Sequence, residues 1–294
     1  MNPERFAMNS IDSKREHRLE LSPLMERAYQ KANEEVLSNP DYVIQESEFS
    51  EGEHPVYDPK AVATDIALAD RLQKEFAAKN DTHERTSKKI ADTLEAVVLM
   101  QSEMSNWFGN ATTQKTSRYD DYVNKVDMIA EWAVPNSGSQ VLALAVDVTF
   151  GKSNIEKKMA GVKEEIERGK LGSIRYFKDS QGDFMGTRRN VPRTIIGVSQ
   201  PVVEELAHLW LEKENKALAQ HPIQRLFIDQ MATQLRMMQE YAAKRGRPMV
   251  AQAYQNTLST LQSLQLEKTA FPIGNLSHDP VFQEIMDQTR SQFK

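Results

Sequence analysis

Two aspartates lie inside adjacent apolar runs, and no other feature constrains the fold of this chain as much. The first run is Val126-Asp127-Met128-Ile129-Ala130-Glu131-Trp132. The second is Val141-Leu142-Ala143-Leu144-Ala145-Val146-Asp147-Val148-Thr149-Phe150. Pro135-Asn136-Ser137-Gly138-Ser139-Gln140 between them is a strong turn signal, so the segment predicts a β-hairpin. Asp is a poor strand residue, and a carboxylate in a buried strand is costly unless a charge meets it. With the turn centred near Ser137, Asp127 falls opposite Asp147 on one face, with Cβ atoms roughly 5 Å apart. Carboxylates that close repel, and one takes up a proton. A shared divalent cation removes the conflict. Oxygen donors with no His or Cys nearby favour Mg²⁺ or Mn²⁺. The same register sets Lys125 opposite Thr149 on that face. The plainer alternative places both acids at strand ends, solvated or capping a loop.

With 294 residues, 39% hydrophobic and 27% charged, the chain can build one large core or two modest ones. No apolar run approaches the roughly 20 residues of a membrane helix. The start, Met1 to Phe6, lacks the basic-then-apolar form of a signal peptide. The absence of cysteine excludes a disulfide framework and thiolate chemistry, and fits a reducing, cytoplasmic setting. The net charge of −5 argues against a uniformly basic nucleic-acid binder. Residues 150–195, however, carry six Lys and five Arg against six acids.

Residues 1–80 read as a polar, partly flexible extension. It holds a helix over 24–37, an acidic loop from Glu46 to Glu53 and a helix over 60–79 marked by Val62, Ile66, Ala69, Leu72 and Phe76. A second long helix starts at the cap-like Asp81-Thr82-His83-Glu84 and runs to about Trp107. Its stripe is Ile90, Leu94, Val97, Val98, Met104 and Phe108. After the hairpin the pattern predicts a helix over 153–168, a strand over 173–177, a turn over 179–183 and a buried strand over 194–198. From Pro201 onward it is helical: one helix with Val202, Leu206, Leu209 and Trp210 inward, a break at His221-Pro222, helices over 223–244 and 248–266, and a short one over 280–290. The expected architecture is mixed α/β: an extension (1–80), an α/β core with a central sheet flanked by helices (81–200) and a helical C-terminal region (201–294).

A helix, then a hairpin carrying Asp127 and Asp147-Val148-Thr149, then a helix and a strand, resembles the PD-(D/E)XK, or restriction-endonuclease-like, nuclease superfamily over roughly residues 84–200. The resemblance implies a metal-dependent nuclease that hydrolyses phosphodiester bonds of DNA or RNA. A helix supplies a Glu, one strand an Asp, and the next strand an acid-x-Lys, together holding one or two divalent metals. Asp127 and Asp147 match the two strand acids. Glu95 and Glu103 both fit the helix acid; periodicity leaves them equivalent, and the family's early position favours Glu95. Thr149 stands where the motif lysine is expected, which leaves Lys125, Lys157 or Lys158 to supply that charge, with Lys158 assigned the assisting role. The departure also admits a catalytically inactive nuclease-like domain used for nucleic-acid binding or assembly.

Around this site a basic set of Lys152, Lys157, Lys158, Lys163, Lys170, Arg175, Arg188, Arg189 and Arg193 suits a phosphate backbone, most of all the cluster Arg188, Arg189 and Arg193. Its bland counterpart is a solvated helix with pairs such as Lys163 and Glu167. Glu131 reads as a strand-edge acid rather than a further ligand. No two histidines have helical zinc spacing, and His208 beside Leu209 and Trp210 reads as structural. Met231, Met237, Met238 and Met249 read as helix packing. The C-terminal helices are expected to shape the substrate channel or bind a partner, with room for a homodimer.

Overall fold

The structure, a computed structural model, describes residues 21–79, 82–134, 138–147 and 152–294; side chains at 79, 82–83, 134, 138–140, 143–147 and 152–153 lie outside that description. The fold is mixed α/β and mostly helical. Its main sheet has four strands in the order β1 (Thr112–Lys115), β2 (Met128–Val134), β3 (Gly138–Asp147) and β6 (Arg193–Gly197). The first three are antiparallel neighbours, and β6 runs parallel to β3. A parallel pair needs a crossover. Here it contains α4 (Lys152–Glu167) and a separate two-stranded ribbon, β4 (Gly172–Lys178) with β5 (Met185–Val191).

Both faces of the sheet are covered. Met128, Ala130, Trp132 and Leu142 enter the large core, while Ile129 and Val141 enter a smaller one with Phe49, Val62, Ile174, Tyr176 and Phe177. This explains why the two runs are almost continuously apolar instead of alternating.

The hairpin forms, but not in the expected register. Gly138, Ser139 and Gln140 join the ladder opposite Val134, Ala133 and Trp132. These polar residues look like turn in composition, and cross-strand pairing recruits them as strand. The ladder sets Met128 opposite Leu144. Extended by one residue, it sets Ala145, not Asp147, opposite Asp127. A slide of two leaves the alternation of faces intact. Lys125 is not a strand residue: its φ of 59° is left-handed, and it closes a π-helical turn, Asp120–Asn124. Its expected partner Thr149 lies outside the described residues.

The exposed edge of β6 is covered by side chains. All of Arg193–Gly197 is buried. Gln234 accepts from the Ile195 N–H at 2.9 Å and donates to its carbonyl at 2.7 Å; Gln230 does the same for Gly197 at 3.0 and 2.7 Å. Four residues of helix rise about 6 Å and two residues of strand about 6.6 Å, so the two amides match two successive outward-facing peptides.

The remaining helices are α1 (Pro23–Ala32), α2 (Pro59–Lys79), α3 (Thr82–Ser105), α5 (Gln200–Leu211), α6 (Asn215–Ala219), α7 (Ile223–Lys244), α8 (Pro248–Glu267) and α9 (Pro280–Gln292). Ser22 caps α1 by accepting from Met25 N at 3.3 Å. Asp279 caps α9 and also accepts from Ser199 N, which ties that helix to the end of β6. The described part of the N-terminal segment is built into the cores. Met25, Ala28, Ala32 and Val36 join the large one. Glu46 to Ser50 is a 3-10 turn, not a loose acidic loop: Phe49 is fully buried, and buried Glu46 accepts from Tyr119 N at 2.9 Å. Among the described residues no helix is long and apolar enough to cross a membrane.

Candidate functional site

The middle of α3 is buried nearly all round, from Thr93 to Leu99. Glu95 lies off the apolar stripe yet is only 5% exposed. Its partner is on β1, which sequence reasoning does not find. Thr112-Thr113-Gln114-Lys115 has no apolar alternation and becomes a strand only between β2 and a bridge to Val43. Lys115, on this strand, pairs with Glu95 and lies 3.8 Å from Asp121. Glu103, two turns along α3, is exposed and accepts from Thr113 N at 3.1 Å.

Glu95, Asp92, Asp121 and Asp127 form one electrostatic cluster with Lys88 and Lys115. Burial pushes the Glu95 carboxyl up to about 7; Lys115 opposes this, and Asp127 and Asp92 add to it. Burial likewise pushes Asp121 up to about 6, against Lys115 and with Asp127. Burial also works against the charge on Lys115, but Glu95, Asp121, Asp92 and Asp127 outweigh it and hold the ammonium above its ordinary range. Lys88 behaves similarly beside Asp92, 3.1 Å away. Lys88, Asp92 and Glu95 follow helical spacing on one face of α3, a charged stripe that runs from exposed Lys88 into the buried middle of the helix. That stripe is the legible signal for the cluster.

Asp127 stands immediately before β2, its carbonyl accepting from Thr116 N at 3.1 Å. The preceding turn is fixed by buried Asp120. Its carboxylate accepts from Ser117 Oγ and Asn124 Nδ2 and from the Arg175 and Tyr176 N–H groups at 2.8 and 2.9 Å. These bonds also attach the β4–β5 ribbon to the turn that carries Asp121.

Asp121 and Asp127 face a cavity of about 660 Å³. One wall is α2 with Phe76, a second is α3 with Arg85, Lys88 and Lys89, and a third is α4 with Lys157 and Lys158. Lys125 and Arg193 also line it. Lys125 donates to the Tyr122 carbonyl at 2.7 Å and lies over the Phe76 ring, while Arg193 bonds Glu165 at 2.8 Å and the Asn124 carbonyl at 3.0 Å.

The expected basic cluster is split. Arg188 and Arg189 are on β5, away from this cavity, because β5 pairs with β4 rather than joining the main sheet. Arg175 is held by Asp65 at 2.5 Å and packs over Tyr57. Lys163 lies over the Tyr241 ring, and Glu167, its expected partner, accepts from the Tyr241 hydroxyl at 2.5 Å. The side chain of Lys152 is outside the described set. Glu131 is not a strand-edge acid: it is 4% exposed and accepts from Ser180 N at 2.8 Å. His208 is exposed. Met231 and Met238 are buried in packing, whereas Met249 is 84% exposed. No residue after Ile195 lines the cavity, so the C-terminal helices do not shape it.

The donors here are carboxylate oxygens, the type a hard divalent ion takes, and among the described residues no His lines the cavity. Carboxyls kept partly protonated by burial are the groups that a divalent ion would ionise. Among the described residues no three His, Asp or Glu side chains form a metal-binding group. The backbone of Asp147 lies at the same end of the sheet, beside Gly197, but its side chain is outside the described set. Comparison with protein-family models, curated proteins and solved structures finds no match to this chain.

Proposed function

We propose that this chain is a divalent-metal-dependent nuclease of PD-(D/E)XK type, hydrolysing phosphodiester bonds of DNA or RNA. The observation that carries the reading is that buried Glu95 on α3 feels the charge of Asp127 at the entry of β2, and that Asp127 lines a cavity bordered by cations. The order α3, β1, β2, β3, α4 and β6, with the β4–β5 ribbon inserted before β6, supports it as well. Glu95, Asp127 and Asp147 would hold Mg²⁺ or Mn²⁺. The ion, when bound, supplies positive charge for the phosphate and lowers the pKa of a water. Lys115 orients the Glu95 carboxylate, and Lys157 and Lys158 attract the phosphate backbone from the opposite wall.

A second reading, a nuclease-like domain that binds without cleaving, is favoured by one observation: Lys115 already neutralises Glu95 from within the cluster. A screen of single- and double-stranded DNA and RNA with Mg²⁺ or Mn²⁺ separates the two. The nuclease cleaves, and Asp127→Ala and Asp147→Ala each abolish cleavage while the folded chain persists. Binding with no metal-dependent turnover on any substrate would select the second reading.

A further inference from the structure

We propose that the cavity receives an unpaired nucleotide, its base against the Phe76 and Tyr122 rings, so that the site takes single-stranded segments or unpaired ends in preference to duplex. The inference rests on the nuclease reading for the nature of the polymer; the preference comes from the shape and lining of the cavity. Its volume of about 660 Å³ is that of a pocket for a small ligand, not of an open groove along a double helix. Phe76 and Tyr122 both line it, their ring centroids 5.9 Å apart and their planes 30° from parallel. Phe76 lies on the part of α2 that packs least and stays 43% exposed. It belongs to neither the large core nor the smaller one. Both rings line the cavity, and Lys125 Nζ lies over the Phe76 ring 5.0 Å from its centroid, so a base would meet the aromatic pair together with this cation.

Cations line the same cavity: Arg85 on α3 and Lys157 and Lys158 on α4, while Lys89 is held by Glu26 at 2.8 Å. Asp121 and Asp127 face the same space. A polyanion threaded between the two helices is held by its phosphates, while a base with an open face stacks on the aromatic pair. Stacking of this kind tolerates any sequence, because every base has a π face. In a duplex that face is covered by the neighbouring base pair, so a duplex gains the charge term alone.

The test uses the full chain with EDTA present to prevent turnover. Fluorescence anisotropy compares a short labelled single strand, as DNA and as RNA, with a blunt duplex of equal charge. Single strands of either sugar are expected to bind more tightly than duplex. Phe76→Ala should weaken single-strand binding by about 5- to 150-fold, the range of one lost base–aromatic stack, and leave duplex binding unchanged. Phe76→Tyr should retain binding, which separates loss of the ring from loss of the fold. Duplex binding as tight as single-strand binding, or no dependence on Phe76, overturns the inference; metal-dependent cleavage in that case still upholds the nuclease. Single-strand binding that depends on Phe76, with no turnover when metal is restored, upholds the inference and overturns the nuclease. Binding of none of these probes overturns both.

Discussion

Replacing Glu95 by glutamine should change how stability depends on pH, in a direction and amount set by the burial of this group. The carboxyl titrates at about 7 in the folded chain against an ordinary 4.5, so the folded state holds a proton that the unfolded chain has released across that interval. The contribution of this group to stability is therefore greatest at the acid end, where both states are protonated, and falls as pH rises from about 4.5 through 7. The gap is worth about 3 kcal/mol, and it already contains the attraction of Lys115. The amide of the variant has nothing to titrate. The difference in unfolding free energy between Glu95→Gln and the parent should thus shift by about 3 kcal/mol in favour of the variant between the two ends of the interval. Urea unfolding followed by tryptophan fluorescence in EDTA measures it. Asp121 titrates in both proteins and largely cancels, apart from its coupling to Glu95. Mg²⁺ or Mn²⁺ should flatten the slope of the parent, because an ion bound at the carboxylate removes the penalty for ionising it. Parallel stability curves for parent and variant would show that Glu95 is solvated and that the buried cluster is wrong.

Gln234→Leu removes both hydrogen bonds to Ile195 and leaves a buried N–H and carbonyl unpaired. The expected loss is about 2–4 kcal/mol in urea unfolding, and a loss under about 0.5 kcal/mol would mean that the β6 edge is satisfied some other way. Asp120→Ala strips the acceptor from the Arg175 and Tyr176 N–H groups. It should cost about 2–5 kcal/mol and raise amide exchange at those two positions; unchanged protection there would contradict the anchoring of the ribbon.

Much of the fold is legible from periodicity because each long helix buries a face of its own. The helices expected over 223–244 and 248–266 and the strand expected near Thr194 lie close to their observed bounds. The short polar strand β1 is not legible, since its four residues have no intrinsic strand pattern and take that form only by pairing on both sides. For the same reason nothing in the sequence marks Lys115 as the ion-pair partner of Glu95.

Local sequence alone determined that two neighbouring antiparallel strands form here, because apolar runs around a turn segment admit little else; Asp127 stands just before the first and Asp147 ends the second. Tertiary structure decided the remainder of the site. Pairing slid the register by two residues from the expected one, packing buried Glu95 and left Glu103 exposed, and the separate β4–β5 ribbon placed Arg188 and Arg189 off the cavity that Arg193 lines. Each of these depends on which second element packs against the first. A repeat along one segment reports the face that segment buries, not the partner that covers it.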